Sequence, residues 1–182
     1  MYLTEQSFEE IAALVRSFGE PDFRARQVYG WLTRGVRPAD MTNVPKALRD
    51  RLSELPFGAV DIRHKRVSAR DGTAKYLFQL EDGNLVEGVL MRYKYGNTAC
   101  LSTQMGCRMG CAFCASTLDG CARSLTPAEM LGQIVCANGV LAPQGQKVGN
   151  IVLMGSGEPL DNYDNVVKFL RILRMEGGLC IG

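Results

Sequence analysis

The chain is short of several things. It has one histidine, His64, and one tryptophan, Trp31, in 182 residues. It has no apolar run long enough to cross a bilayer and no signal-peptide pattern, so a reduced, cytoplasmic setting with no membrane partner is expected. Internal repeats and low-complexity tracts are absent. The formal net charge is only +2, which excludes a chain that binds nucleic acid by overall charge. The seven cysteines are an odd number and mostly scattered, a poor disulfide framework. With a lone histidine and no second C-x2-C pair, the usual four-ligand zinc site cannot be assembled from sequence neighbours.

What remains is concentrated. Cys107, Cys111 and Cys114 stand at spacing C-x3-C-x2-C, with Gly106 and Gly110 beside them. Three thiolates on one loop can face a single metal centre. A cubane iron–sulfur cluster held by three cysteines keeps one iron open to an external ligand, which chemistry at a cluster requires. The plainer alternative is three small buried hydrophobes. Charge is also local: Arg63, Lys65, Arg66, Arg70 and Lys75 stand against one acid, Asp71. That pattern fits phosphate contact or a solvated strand face.

Local signals order the chain. Ser7-Phe-Glu-Glu10 has capping-box spacing and precedes apolar residues at helical period up to Phe18, with Gly19 as the stop. Pro21 and Pro45 open two further helices, the first ending at Gly35. Trp31 and the phenylalanines of this region are read as core. From about residue 59 the period changes, and strands are predicted over 59–69, 75–80 and 85–92, separated by Asp71-Gly72 and Asp82-Gly83 turns. A strand over Ala99–Gln104 then enters the cysteine loop. Thr126-Pro-Ala-Glu129 starts a helix running to about Gly139. Val148–Met154 reads as a buried parallel strand, Asn162–Met175 as an amphipathic helix, and Leu179–Gly182 as the start of another strand. Repeated βα units imply a parallel sheet whose site lies at the carboxyl ends of its strands, where the cysteine loop and Gly155-Ser-Gly-Glu-Pro159 both fall.

C-x3-C-x2-C with Phe113 before its last cysteine resembles the cluster motif of radical S-adenosylmethionine (SAM) enzymes. The wider stretch from Tyr95 to Thr117 resembles the RlmN-like adenine C2-methyltransferases of 23S ribosomal RNA and transfer RNA, which have the Cfr enzymes as relatives. The resemblance runs from about Leu3 to Gly182. It implies an α/β fold: an incomplete radical SAM partial (β/α) barrel at 98–182, preceded by a helical accessory RNA-binding-like module at 1–58 and a short antiparallel β meander at 59–97. It implies a [4Fe-4S] cluster on Cys107, Cys111 and Cys114. SAM would be held in part by Gly157 and Glu158, in a segment where Ser156 replaces the family's usual methionine. It also implies Glu87 as proton acceptor and Cys100 as resolving cysteine. The partners implied are 23S rRNA, tRNA and an electron donor such as flavodoxin or ferredoxin.

In the implied mechanism one SAM methylates a protein cysteine. A second SAM, cleaved reductively, generates the radical that allows the methyl carbon to add to adenine C2, which is electrophilic and resists polar methylation. The methyl-carrying cysteine of the family lies well past Gly182, and Cys180 does not match it. The expectation is therefore an incomplete fragment with an exposed parallel strand edge. The alternatives are a catalytically inactive RNA-binding remnant and a different radical SAM enzyme. Cys121, Cys136 and Cys180 are read as structural. Arg108 and Arg123 flank the loop as candidate contacts for phosphate or the SAM carboxylate.

Overall fold

A computed structural model describes residues 2–175 and 178–181. The N-terminal helices form as the local signals require. Helix α1 (Phe8–Ser17) starts with a closed capping box: Ser7 Oγ accepts from the Glu10 amide at 3.2 Å, and the Ser7 amide donates to Glu10 Oε2 at 2.7 Å. Helices α2 (Asp22–Leu32) and α3 (Lys46–Ser53) follow, each entered from a proline in extended conformation. Their apolar stripes meet in one cluster that includes Ile11, Val15, Val28, Leu32, Leu48 and Leu52. Trp31 packs against this cluster and donates its indole N–H to Asn43 Oδ1 at 2.6 Å. Phe23 departs from the core reading. It is 54% exposed, with the Arg24 guanidinium 4.7 Å from its ring centroid.

The rest of the chain is built on one five-stranded sheet in the order β1-β2-β3-β4-β7. Strands β1 (Asp61–Val67), β2 (Ala74–Gln79), β3 (Leu85–Tyr93) and β4 (Gly96–Cys100) run as an antiparallel meander, and β7 (Val148–Val152) joins β4 in parallel. The meander is thus continuous with the first strand of the βα region. The pleat explains this: Tyr76, Phe78, Val86, Leu90, Ala99 and Leu101 turn to the same face and share one core with helices α4 (Pro127–Leu141) and α5 (Tyr163–Arg174). Helix α4 is capped by Thr126, whose Oγ1 accepts from the Glu129 amide, with Pro127 at the first position.

The strand expected over Ala99–Gln104 breaks after Cys100. Its continuation, β5 (Gln104–Gly106), leaves the sheet and pairs with β6 (Cys121–Ser124), a short strand that the sequence did not announce. The strand expected from Leu179 does not form: Leu179–Ile181 are turn and irregular, and Gly182 lies outside the described residues. Among the described residues both sheet edges are open. Edge β1 is exposed along its whole length, charged, and irregular between Ile62 and His64, features that blunt an edge against foreign pairing. Edge β7 has no such charges. No helix is long and apolar enough to cross a membrane among the described residues.

The core assignment is testable by unfolding in denaturant. Phe169 is fully buried on α5, so Phe169→Ala should cost about 3–5 kcal/mol. Phe23→Ala should stay within about 0.5 kcal/mol, as expected of a surface position.

Candidate active site

The cysteine loop is fastened at its base. The Cys107 amide donates to Gly120 O at 2.9 Å, directly beyond the β5–β6 pair, and the Leu125 amide donates to Thr103 O at 2.9 Å. Gly106 makes this closure possible. Its φ is +76°, and a Cβ there would lie 1.9 Å from Gly120 O. Within the loop Cys107 is buried, Cys114 half-buried and Cys111 exposed; all three are free thiols. The tip is open: Phe113 is 95% and Leu118 80% exposed. Among the described residues no group of three His, Cys, Asp or Glu side chains is gathered closely enough to hold a metal ion. The donor set suits an iron–sulfur cluster chemically, as three thiols on one loop with no disulfide. The tip must close for all three sulfurs to reach one centre.

The Gly155–Pro159 turn follows β7 and packs flat on the chain leaving β4. A Cβ at Gly155 would meet Leu101 O at 2.6 Å, and one at Gly157, where φ is +102°, would meet the Gln104 amide at 2.6 Å. These glycines therefore admit the neighbouring backbone itself. The Thr103 and Gln104 amides both donate to Ser156 O, at 2.9 and 3.2 Å, and the Ser156 amide donates to Ser102 Oγ at 3.0 Å. Ser156 thus holds the turn through its backbone. Glu158 Oε1 accepts from the Leu160 amide at 2.9 Å, capping a short 3-10 turn.

Gln104 joins these two segments. It is wholly buried, and its amide group has partners on both sides. Oε1 accepts from the Glu158 amide at 3.0 Å, while Nε2 donates to Asp161 Oδ2 at 2.8 Å and to Ser124 Oγ at 3.3 Å. The same Asp161 oxygen accepts from Arg108 Nε at 2.7 Å. The hydrogen bond from Gln104 and then the Arg108 charge hold the Asp161 carboxyl below the usual carboxylate range. Buried Ser102, Gln133 and Asn162 complete the scaffold. Gln133 brackets the Ser102 backbone with two 3.0 Å bonds, and Asn162 Nδ2 donates to Thr103 O and Leu125 O.

Both loop arginines are already engaged within the chain. Arg108 pairs with Asp161, and Arg123 bridges Asp82 and Glu129, reaching Glu129 Oε1 at 2.7 Å. Arg123 therefore ties β6 to the β2–β3 turn and to the start of α4, a structural task in place of the expected ligand contact.

Glu87 and Cys100 share one face of the sheet, the one turned away from the core. Cys100 lies opposite Val89, and Glu87 is two residues along β3, opposite Ser102, whose hydroxyl donates to Glu87 O at 2.6 Å. Glu87 is exposed and pairs with Lys75 Nζ at 2.7 Å, so its charge has a solvated partner. Burial pushes the half-buried Cys100 thiol up. Among the other cysteines, Cys136 donates to Val60 O and its pKa is pushed by burial to about 11, a structural role. Cys180 is exposed, with φ of 51°, and is not a core residue.

Residues 1–56 match the family described as the ribosomal RNA large subunit methyltransferase N-terminal domain. The chain is 49% identical over 182 residues to a probable dual-specificity RNA methyltransferase RlmN of Alkaliphilus oremlandii, covering 99% of this chain and 52% of that protein. The chain is thus similar to RlmN methyltransferases along nearly all of its own length. A Clostridium botulinum (strain Alaska E43) protein of the same name is 48% identical with the same coverage. A crystal structure of a radical SAM methyltransferase from Sphaerobacter thermophilus superposes with a TM-score of 0.91 at 39% identity, over 100% of this chain and 54% of that one. The chain thus spans about half the length of the RlmN relatives it matches. The α/β architecture, with one parallel strand pair at the site, is that of part of a radical SAM methyltransferase.

Two substitutions test the scaffold. Arg123→Met leaves Glu129 buried without its cation and should cost about 3 kcal/mol, whereas Arg108→Met breaks an exposed pair worth about 1 kcal/mol or less. The Asp82 carboxyl adds a pH signature. Burial pushes it up, but hydrogen bonds from Asn84 and Arg123 outweigh burial and bring it down from 3.8 to about 2. A depressed carboxyl stabilises the fold above its unfolded pKa and loses that contribution as pH falls through the folded one. Asp82→Asn should therefore lower the melting temperature at neutral pH, and the deficit should shrink as pH falls from 3.8 toward 2.

Proposed function

We propose that this chain carries the cluster-binding half of a cytoplasmic radical SAM methyltransferase that modifies C2 of adenine in 23S rRNA and tRNA. The observation that carries the reading is the juxtaposition of a base-clamped three-cysteine loop with the Gly155–Pro159 turn, both at the carboxyl ends of neighbouring parallel strands and joined through Gln104. Cys107, Cys111 and Cys114 would hold a [4Fe-4S] cluster, and Gly157 with Glu158 would receive the methionine amino group of SAM. When bound, the cluster and SAM supply the one-electron chemistry that polar methylation of an electrophilic ring carbon lacks.

The chain's own residues do the positioning. Gln104 holds the turn against the loop base, and Gly157 allows that close approach because a side chain there would collide with Gln104. Glu87 acts as proton acceptor and Cys100 as resolving cysteine, on the sheet face that adenine would approach. Residues 1–58 serve as the accessory RNA-binding module, 59–97 as the linking meander and 98–182 as the start of the barrel. Flavodoxin or ferredoxin is the electron donor in this reading.

Anaerobic reconstitution with iron and sulfide, read by electron paramagnetic resonance after reduction, tests it. A cubane signal that shifts on adding SAM is expected, lost in Cys111→Ala and retained without the SAM shift in Glu158→Gln. A soluble, folded chain that takes up no cluster overturns the reading, and RNA binding by such a chain would favour the non-catalytic alternative.

A further inference from the structure

The sheet end opposite the cysteine loop gathers five positive charges against one acid, Asp71. The pairings Val67↔Ala74, Ala74↔Leu90, Tyr93↔Gly96 and Asn97↔Val148 bring the β1–β2 turn, the end of β3, the β3–β4 turn and the entry to β7 to one rim. That rim carries Arg66, Arg70, Arg92, Lys94 and Lys147, all exposed. Among the described residues none of the five lies within ion-pair distance of a carboxylate. Arg92 donates to the neutral Gln144 Oε1 at 3.1 Å, and its stem faces Gly72 of the β1–β2 turn. Asp71, the acid in that turn, accepts from the Thr73 amide at 3.0 Å. Like charges crowded on one rim repel one another and do not stabilise the fold.

Beside these cations stand two exposed aromatics. Tyr93 and Tyr95 stack on each other, with centroids 5.0 Å apart and planes at 10°, yet they are 48% and 73% exposed. Arg92, Lys94 and Lys147 line a cleft of about 370 Å³ together with Tyr93, Asn97 and Gln146. Cations satisfy phosphates of any sequence, and an exposed ring face offers a platform on which an unpaired base can stack. An acidic protein would meet the charges but would leave the stacked tyrosines unused.

We propose that this rim is a second RNA-docking surface, which takes the phosphate backbone on Arg92, Lys94 and Lys147 and an unpaired flanking base on the Tyr93–Tyr95 stack. It rests on the RNA reading above and lies at the far end of the strands from the cysteine loop, roughly 15 Å along β4 at the usual rise per residue. RNA held there is gripped away from the reacting base, so the surface contributes affinity and orientation without entering the chemistry.

The test uses the full chain and a fluorescein-labelled RNA stem-loop with a single-stranded flank, titrated by anisotropy over a salt series. Arg92→Glu/Lys94→Glu/Lys147→Glu should weaken binding by about tenfold or more and reduce the slope of log affinity against log salt by about two. Tyr93→Ala/Tyr95→Ala should weaken binding of the flanked RNA, leave the slope unchanged, and not affect a fully paired duplex. All five side chains are exposed, so circular dichroism should match the parent chain. No RNA binding by the parent chain, or binding indifferent to the charge reversal, overturns the proposal. So does an equal loss of binding to poly-glutamate, which would mark a non-specific or protein-facing surface. Cluster reconstitution on the same samples separates the two readings. RNA failure with an intact SAM-responsive cluster overturns this surface alone, and absence of the cluster overturns the parent reading.

Discussion

A buried primary amide must find partners for both of its ends, and Gln104 is wholly buried. Its carbonyl is met by the Glu158 amide and its amino group by Asp161 and Ser124. Those three partners come from different parts of the chain: the turn after β7, the 3-10 segment behind it, and the strand that closes the cysteine loop. One satisfied side chain therefore sets the spacing between a candidate cluster loop and a candidate SAM turn. Ser102, Gln133 and Asn162 repeat the device on either side, so this part of the core is fixed by directional bonds where the remainder relies on apolar packing. Directional bonds hold geometry more narrowly than apolar contact does, which a site for precise chemistry needs.

Rigidity ends at the loop base. Between Cys107 and Gly120 the backbone bonds are local turns, and Phe113 and Leu118 stand in water. A loop built this way is stable at its roots and adaptable at its tip. Cluster binding would couple to its closure, because the ligands need not be gathered beforehand. The sheet face carrying Glu87 and Cys100 is turned away from the helices.

Much of this was legible in the residues. Both capping boxes, at Ser7 and Thr126, close as their spacing requires, because an N-cap interaction spans three residues and needs no tertiary context. The meander strands fall where the change of period and the Asp71-Gly72 and Asp82-Gly83 turns put them, and the cysteine loop falls at a strand end as βα order demands. Other features depend on contacts distant in sequence. Strands β5 and β6 are three and four residues long and pair only because Gly106 tolerates the approach of Gly120. Nothing local announces that Arg123 will meet Asp82 forty-one residues away, or that Glu87 will pair with Lys75 across a strand register. The polar run Ser102-Thr103-Gln104, at the end of the segment read as a strand over Ala99–Gln104, is the available signal for the hidden scaffold. Three hydrogen-bonding side chains in succession are costly to bury unless each has a partner.

The central claim is a cluster loop fixed at its base by Gln104 and free at its tip until iron binds. Hydrogen exchange measured on the chain before and after anaerobic iron–sulfide loading tests it most directly. The account predicts slow amides at Gln104, Cys107 and Leu125 in both states, with fast amides over residues 108–116 that become protected only after loading. Exchange at the base as rapid as at the tip, or a tip that gains no protection while iron is bound, would contradict it.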